Sequence, residues 1–331
     1  MALSLCACGA PKTESLSIFA MDTYMSLVAV GDGAFDTLQQ TSNAINALEQ
    51  KLSRTIETSD VSRLNTDGSA VLDAGVAQLL EQALLLSDET AGNFDITVAP
   101  LVELWGITSD SPRVPAQEEI DALLPLVGGQ HVHLDGTAAT LDEGCAIDLG
   151  GIGKGYASDV VAELYAESSL TGGFVSLGGN VYVHGLTAEG KPWNVAIQDP
   201  KNPESYACTL HLSDAFVVTS GGYQRYFTAP DGTVYQHIID PATGSPADSD
   251  LLSVSIVTRR ENGGSGTVAD AYSTALYVLG EDGAISLWHA RQSDFDMVLV
   301  TEDGRVLYTP GLADCFDETE GSGYVYQCLT A

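Results

Sequence analysis

Ala146-Ile147-Asp148-Leu149-Gly150-Gly151-Ile152-Gly153-Lys154-Gly155-Tyr156-Ala157-Ser158-Asp159 is the stretch on which the reading of this chain turns. It opens apolar with one carboxylate, passes through four glycines and enters residues 156–168. There Ala157, Val160, Val161, Leu164 and Tyr165 recur with helical spacing. A strand, a glycine turn and a helix are therefore predicted. This geometry brings backbone N–H and C=O groups within reach of a phosphate. Gly150, Gly151, Gly153 and Gly155 let a ligand approach the backbone, and Lys154 adds the only positive charge of the stretch. A Walker A loop is excluded because Gly155, not Ser or Thr, follows Lys154. The dinucleotide fingerprint is excluded because Gly151, Gly153 and Gly155 are spaced by two throughout. A turn that only packs a helix tightly on a sheet would look the same.

The chain has 331 residues, of which 44% are hydrophobic, enough for a substantial core. Its 13 Lys and Arg face 45 Asp and Glu, a formal net charge of −32. Such a surface repels nucleic acid and anionic headgroups, so neither is an expected partner. It also repels a phosphate-bearing ligand unless a divalent cation held by carboxylate compensates.

Leu5-Cys6-Ala7-Cys8 resembles the end of a truncated bacterial lipoprotein signal. Residues 1–14 are read as that signal and linker, and residues 15–331 as the folded domain. The expected location is extracytoplasmic and bacterial, with a lipid anchor at Cys8 on the outer face of the cytoplasmic membrane. No apolar run reaches 18 residues, so no spanning segment is expected. Cys315 and Cys328 either bridge in an oxidising compartment or remain free thiols.

Residues 15–30 read as a hairpin interrupted at Met21-Asp22-Thr23, and residues 33–52 as an amphipathic helix on Phe35, Leu38, Ile45, Leu48 and Leu52. Residues 53–67 read as a polar stretch anchored by Val61 and Leu64, and residues 74–91 as a helix ended by Gly92. Pro100 opens a further helix, while Phe94 and Trp105 either stack on a planar ring or fill the core. Residues 115–126 form a surface helix and residues 131–141 a strand. Strands dominate from residue 173 to the hairpin at Ala229-Pro230-Asp231-Gly232. A turn at Ser220-Gly221-Gly222 and a glycine-rich linker at 261–266 precede a helix over 268–279, which Gly280 stops. The irregular mixing of strands and helices predicts one intertwined α+β unit.

Asp270 and Thr274 lie four apart on that last helix, so their oxygens share a face, with Asp270 expected in the first turn. One carboxylate, one hydroxyl and one carbonyl suffice for Mg²⁺, which keeps waters and substrate phosphates. An ordinary helix-start aspartate and a packing threonine would have the same spacing.

Taken together these segments resemble the ApbE family of FAD:protein FMN transferases. The resemblance is carried by Met21-Asp22-Thr23, Ser62-Arg63-Leu64-Asn65, Phe94-Asp95 through Leu104-Trp105-Gly106, and Asp148 through Tyr156. Thr219-Ser220-Gly221, His237 through Gly244, and Asp270 through Leu276 complete it. The resemblance implies an α+β fold of mixed sheets with packed helices and T-fold-like elements. It also implies Mg²⁺-dependent transfer of FMN from FAD to a Thr or Ser hydroxyl of an acceptor flavoprotein, through a phosphoester bond, with AMP leaving. That acceptor would belong to an extracytoplasmic electron-transport system. By position, Asp270, Thr274 and the carbonyl of Gly151 are the implied metal ligands. Met21, Asn93, Phe94, Asp95, Asp148, Lys154 and Ile239 are the implied lining of the FAD pocket. His237 is the expected base, with Asp240 or a metal-bound hydroxide as alternatives.

The chain departs from the family pattern at Asp22, where glycine is common, at Thr55, where an aromatic is common, and at Ser273, where some members carry a carboxylate. Two other functions fit the same residues. One is an FAD pyrophosphatase using water as nucleophile; the other is an FAD-binding lipoprotein without turnover.

Overall fold

The computed structural model describes residues 12–291 and 294–330. The signal reading at Cys6 and Cys8 lies outside them. The folded part already includes Thr13 and Glu14, because β1 (Thr13–Ala20) pairs with β2 (Thr23–Gly31) from Thr13 opposite Val30. The expected boundary at residue 15 is thus two residues late. Met21 and Asp22 make the two-residue turn with φ of 48° and 61°, the left-handed pair that matches the twist of a hairpin.

α1 (Ala34–Leu52) buries Leu38, Ile45 and Leu52, but Phe35 faces outward at 58% exposure. The stretch expected to be only polar contains α2 (Asp60–Asp67), begun by a Ser59 side chain that accepts from Ser62 N–H and stopped by left-handed Gly68. Val61 and Leu64 are its buried face. After β3 (Ser69–Val71) come α3 (Ala74–Glu89), α4 (Ala99–Trp105) with Pro100 in its first turn, and α5 (Gln117–Leu123). The strand expected over 131–141 is a hairpin of β4 (Val132–Asp135) and β5 (Ala138–Leu141), broken at left-handed Gly136. β3, β5 and β4 form one small sheet.

Residues 146–149 make no strand. They are held by a hydrogen bond from Asp148 N–H to the Ile96 carbonyl, and α6 starts within the glycines (Gly153–Ala166), earlier than the apolar periodicity suggested. β6 (Leu170–Leu177), β7 (Asn180–Gly185), β8 (Trp193–Asp199), β9 (Asn202–Leu212) and β10 (Ala215–Gly221) follow. Ser220 and Gly221 therefore end a strand rather than form a turn. The small hairpin β11 (Tyr226–Thr228) and β12 (Val234–Gln236) precedes β13 (Leu251–Arg259). α7 (Gly266–Ala290) is interrupted by non-helical Gly280, and the chain closes with β14 (Asp296–Thr301), β15 (Arg305–Tyr308), β16 (Phe316–Glu318) and β17 (Val325–Cys328).

A nine-stranded sheet in the order β1-β2-β6-β7-β10-β13-β14-β15-β17 organises the molecule, antiparallel except for β15 with β17. One face carries the helices: Leu27, Leu177 and Phe216 pack on Leu38 of α1 and on Val161 and Tyr165 of α6, and Val254 and Ile256 on Tyr272 and Leu276 of α7. The other face carries the sheet β16-β9-β8, with Val217, Val257 and Val298 against Val195, Ile197 and Leu210. The α+β expectation holds. Cys315 and Cys328 are free thiols. Among the described residues no helix is long and apolar enough to cross a membrane.

Candidate active site

α6 and α7 cross where neither has a side chain. A Cβ on Gly155 would lie 2.3 Å from the Gly266 carbonyl oxygen, and a Cβ on Gly266 2.0 Å from Ser158 Oγ. At this crossing each helix caps the other. Asp159 of α6 accepts from the N–H groups of Gly266 and Thr267, at 2.6 and 2.9 Å, and from the Ser265 hydroxyl at 2.7 Å. Asp270 of α7 accepts from Gly155 N–H in the first turn of α6, at 2.8 Å. Carboxylates at helix N-termini are favoured by the unpaired N–H groups and the helix dipole. The expectation that Asp270 lies in the first turn of its own helix is therefore corrected. α7 begins at Gly266, and Asp270 serves the first turn of α6 instead.

The close crossing also places Thr274 one turn on from Asp270 and beside Gly151, where a Cβ would lie 3.6 Å from Thr274 Oγ1. Gly151 and Thr274 thus lie side by side, with Asp270 one turn away on the same helix as Thr274. Asp270 is buried, and its hydrogen bond to Gly155 engages Oδ2, leaving Oδ1 for a further partner. Ser220 Oγ sits 2.8 Å from Ser273 Oγ and 3.4 Å from Thr274 Oγ1. Ser273 is buried and donates its hydroxyl to the Asp270 carbonyl at 2.8 Å. Among the described residues no group of three or more His, Cys, Asp or Glu is placed to hold a metal ion. A hard cation with few protein ligands and several exchangeable ones fits this donor set; a zinc cage does not.

The glycine turn is held from two sides. Asn65 of α2 donates to the Ile147 carbonyl and accepts from Ile147 N–H, both at 2.8 Å. Asp148 accepts from Gly150 N–H at 2.7 Å and pairs with Arg54 Nε at 3.0 Å. Lys154, in the first turn of α6, reaches the Gly150 carbonyl at 3.3 Å and forms no ion pair among the described residues. Phe94 is 3% exposed with its ring edge against Gly151, and Trp105 is equally buried, donating Nε1–H to the Gly244 carbonyl at 2.8 Å. Both aromatics therefore fill the core rather than present a free face. Asp95 is also turned inward, accepting from Thr97 N–H at 2.7 Å and from Ser87 Oγ at 3.3 Å. Asn93 donates to the Thr90 carbonyl.

On the opposite wall, Met21 donates its N–H to Glu49 Oε1 at 2.7 Å, and Arg225 reaches from the β10–β11 connection to the Asp22 carbonyl at 3.0 Å. Asp22, Arg225, Gln224, Tyr226 and residues 107–109 line an open cleft of about 390 Å³. His237 lies beside it. Its Nδ1 faces the Arg225 carbonyl at 3.2 Å, and since a carbonyl only accepts, Nδ1 carries the hydrogen and Nε2 the lone pair. Desolvation, with the charges of Lys154 and Arg225, lowers the His237 pKa to about 4, so the ring is neutral at pH 7. Asp240 is occupied in its own turn by Ala242 N–H and Thr243 Oγ1, both at 2.9 Å, and Ile239 packs in a small core with Leu101, Trp105 and Ile120.

The ApbE family model matches residues 21–299, spanning all of these elements. The chain belongs to the ApbE family. It is 34% identical over 253 residues to the FAD:protein FMN transferase of Vibrio cholerae, covering 74% of both chains. To the FAD:protein FMN transferase of Treponema pallidum it is 33% identical, over 84% of this chain and 80% of the relative. The crystal structure of the ApbE protein from Thermotoga maritima superposes with a TM-score of 0.84 at 31% identity, over 93% of this chain and all of that one. The apo flavinyl transferase ApbE of Pseudomonas stutzeri gives 0.78 at 27% identity, over 93% of this chain and 94% of that one. Arg54 and Arg225, which carry charge into this ApbE-type site, follow no local motif and were not singled out by sequence reasoning. Their partners Asp148 and Asp22 lie 94 and 203 positions away along the chain (148 − 54; 225 − 22).

Proposed function

We propose that this chain transfers FMN from FAD to a Thr or Ser hydroxyl of an acceptor flavoprotein, forming a phosphoester and releasing AMP. The observation that carries the reading is the meeting of Gly151, Asp270 and Thr274 beside Lys154 in a chain of net charge −32. A pyrophosphate is otherwise repelled by so acidic a protein. The relatives' name supplies the substrate, and the donor set supports Mg²⁺. Asp270 Oδ1, Thr274 Oγ1 and the Gly151 carbonyl would hold that ion, which when bound would neutralise charge on the pyrophosphate and on the departing AMP.

The chain's own residues do the rest. Lys154, through its ammonium group and its own backbone N–H in the first turn of α6, binds phosphate oxygens, and Asp148 and Asn65 hold the glycine turn in shape for them. The acceptor oxygen attacks the phosphorus of the FMN half, the bond from that phosphorus to the bridging oxygen breaks, and AMP carries the bridging oxygen away. The hydroxyl proton passes to His237 Nε2, the free lone pair of a ring oriented by Arg225. The open cleft lined by Asp22 and Arg225, whose carbonyl orients His237, supports entry of a macromolecular acceptor from that side. The N-terminal Leu5-Cys6-Ala7-Cys8 supports an extracytoplasmic placement with a lipid anchor at Cys8.

Incubation of the chain with FAD, Mg²⁺ and an acceptor domain of a family relative, read by intact-protein mass spectrometry, tests the reading. A gain equal to one FMN on the acceptor is expected. Stoichiometric AMP with an unlabelled acceptor would instead identify a pyrophosphatase, and bound FAD without turnover a carrier.

A further inference from the structure

We propose that Asn180 is a ligand-binding residue of the same site, donating its side-chain N–H to a phosphate oxygen of the bound dinucleotide. The inference rests on the reading that the ligand carries a pyrophosphate. Asn180 is 1% exposed, yet its Nδ2 has no hydrogen-bond partner. Buried amide donors are almost always paired, and one left open calls for a partner from outside the chain. Among the described residues two other side-chain atoms are similarly stranded, Ser253 Oγ in β13 and Trp288 Nε1 in the last turns of α7. Neither shares the position of Asn180 at the end of β7, in register with the strand that carries Ser220 to Thr274.

Strand register gives the direction in which Asn180 points. Along β7, Val181 and Val183 pack under the small outer sheet, whereas Tyr182 packs on the helix side with Tyr165 and Phe216. Alternation puts Asn180 on the helix side with Tyr182. It stands opposite Leu177 of β6 and Val218 of β10, both of which face the helices. Two residues beyond Val218, on the same face, is Ser220, whose Oγ lies 3.4 Å from Thr274 Oγ1. Diagonal neighbours on a sheet face are about 7–8 Å apart, a span that one pyrophosphate covers. α6 and α7, which carry the glycine turn and Asp270, both pack on β7.

The amide is suited to this place. An anionic ligand needs donors, and a carboxylate at the same position would add to the repulsion of a chain already at −32. A neutral N–H binds the phosphate without leaving a buried unpaired charge when the site is empty.

The test compares wild type, Asn180→Asp and Asn180→Ala, all folded by thermal melt, for binding of FAD and of riboflavin in the presence of Mg²⁺. Riboflavin has the ring but no phosphate. FAD affinity is expected to fall by about tenfold or more in Asn180→Asp and less in Asn180→Ala, with riboflavin affinity unchanged in both. FAD binding within twofold of wild type in both variants overturns the assignment. So does a parallel loss for FAD and riboflavin, which would mean that Asn180 only supports the fold. Wild-type protein that binds no FAD overturns the functional reading itself, a result the variants do not influence.

Discussion

Asp270 Oδ2 accepts a hydrogen bond from Gly155 N–H across 2.8 Å and 115 positions of sequence. The same carboxylate that caps α6 sits one helical turn from Thr274, which lies against Gly151, so the fold and the site share one side chain. Asp159 returns the favour to α7, and neither helix can shift without uncapping the other.

The crossing predicts a sharp difference between two glycines of one turn. A Cβ on Gly155 would meet the Gly266 oxygen at 2.3 Å and Asp270 Cβ at 2.7 Å, whereas the nearest atom to one on Gly153 is Leu52 Cδ1 at 3.9 Å. Gly155→Ala should lower stability by about 1–3 kcal/mol and abolish FAD binding. Gly153→Ala should be close to neutral. Thermal melts and flavin fluorescence of the two variants check this, and equal behaviour would contradict the crossing.

Asn65 predicts a defect at a distance. Its amide makes two hydrogen bonds to Ile147, and Asn65→Ala removes both, at a cost of about 1–3 kcal/mol. Asn65→Asp keeps the acceptor and loses the donor. FAD affinity should therefore rank wild type, Asp, Ala, measurable by fluorescence quenching.

His237 predicts an unusual pH dependence. Its folded pKa of about 4 lies below the ordinary 6.5, so the unfolded chain binds the proton more readily. Stability from this group is fully present above about pH 6.5 and is lost as pH falls toward about 4. Two of its causes are the charges of Lys154 and Arg225, which a bound pyrophosphate would offset. NMR titration should show the His237 pKa rising when FAD binds. In the free enzyme, the acid limb of kcat/KM should lie near pH 4 rather than 6.5. His237→Gln should slow transfer by about 10²–10⁴-fold while leaving FAD affinity nearly unchanged.

What the residues disclosed in advance was local chemistry. Helical spacing marked α1, α3 and α7, and Ala229-Pro230-Asp231-Gly232 marked the hairpin of β11 and β12. The shared helix face of Asp270 and Thr274 was legible from their four-residue spacing, but a role for it was implied only by the family resemblance. Four features were not legible. α2 was hidden because only Val61 and Leu64 of its eight residues face the core strongly enough to mark a period. The segment before the glycines looked like a strand because its apolar residues are buried, but its backbone partners are Asn65 and Ile96 rather than a neighbouring strand. Arg54, Arg225 and Asn180 acquire meaning only when β2, β7, β10 and the glycine turn are brought together. Glycine at 155 and 266 was visible as composition, but its purpose, a helix crossing, is a tertiary fact.

Calorimetric titration of FAD into wild type and Asp270→Ala, each with Mg²⁺ or with chelator, bears most directly on the central claim that a cation beside the glycine turn lets an acidic chain hold a pyrophosphate. Wild-type affinity should drop by roughly a hundredfold on chelation, and Asp270→Ala should bind weakly under both conditions. FAD affinity that is the same in all four titrations would contradict the account.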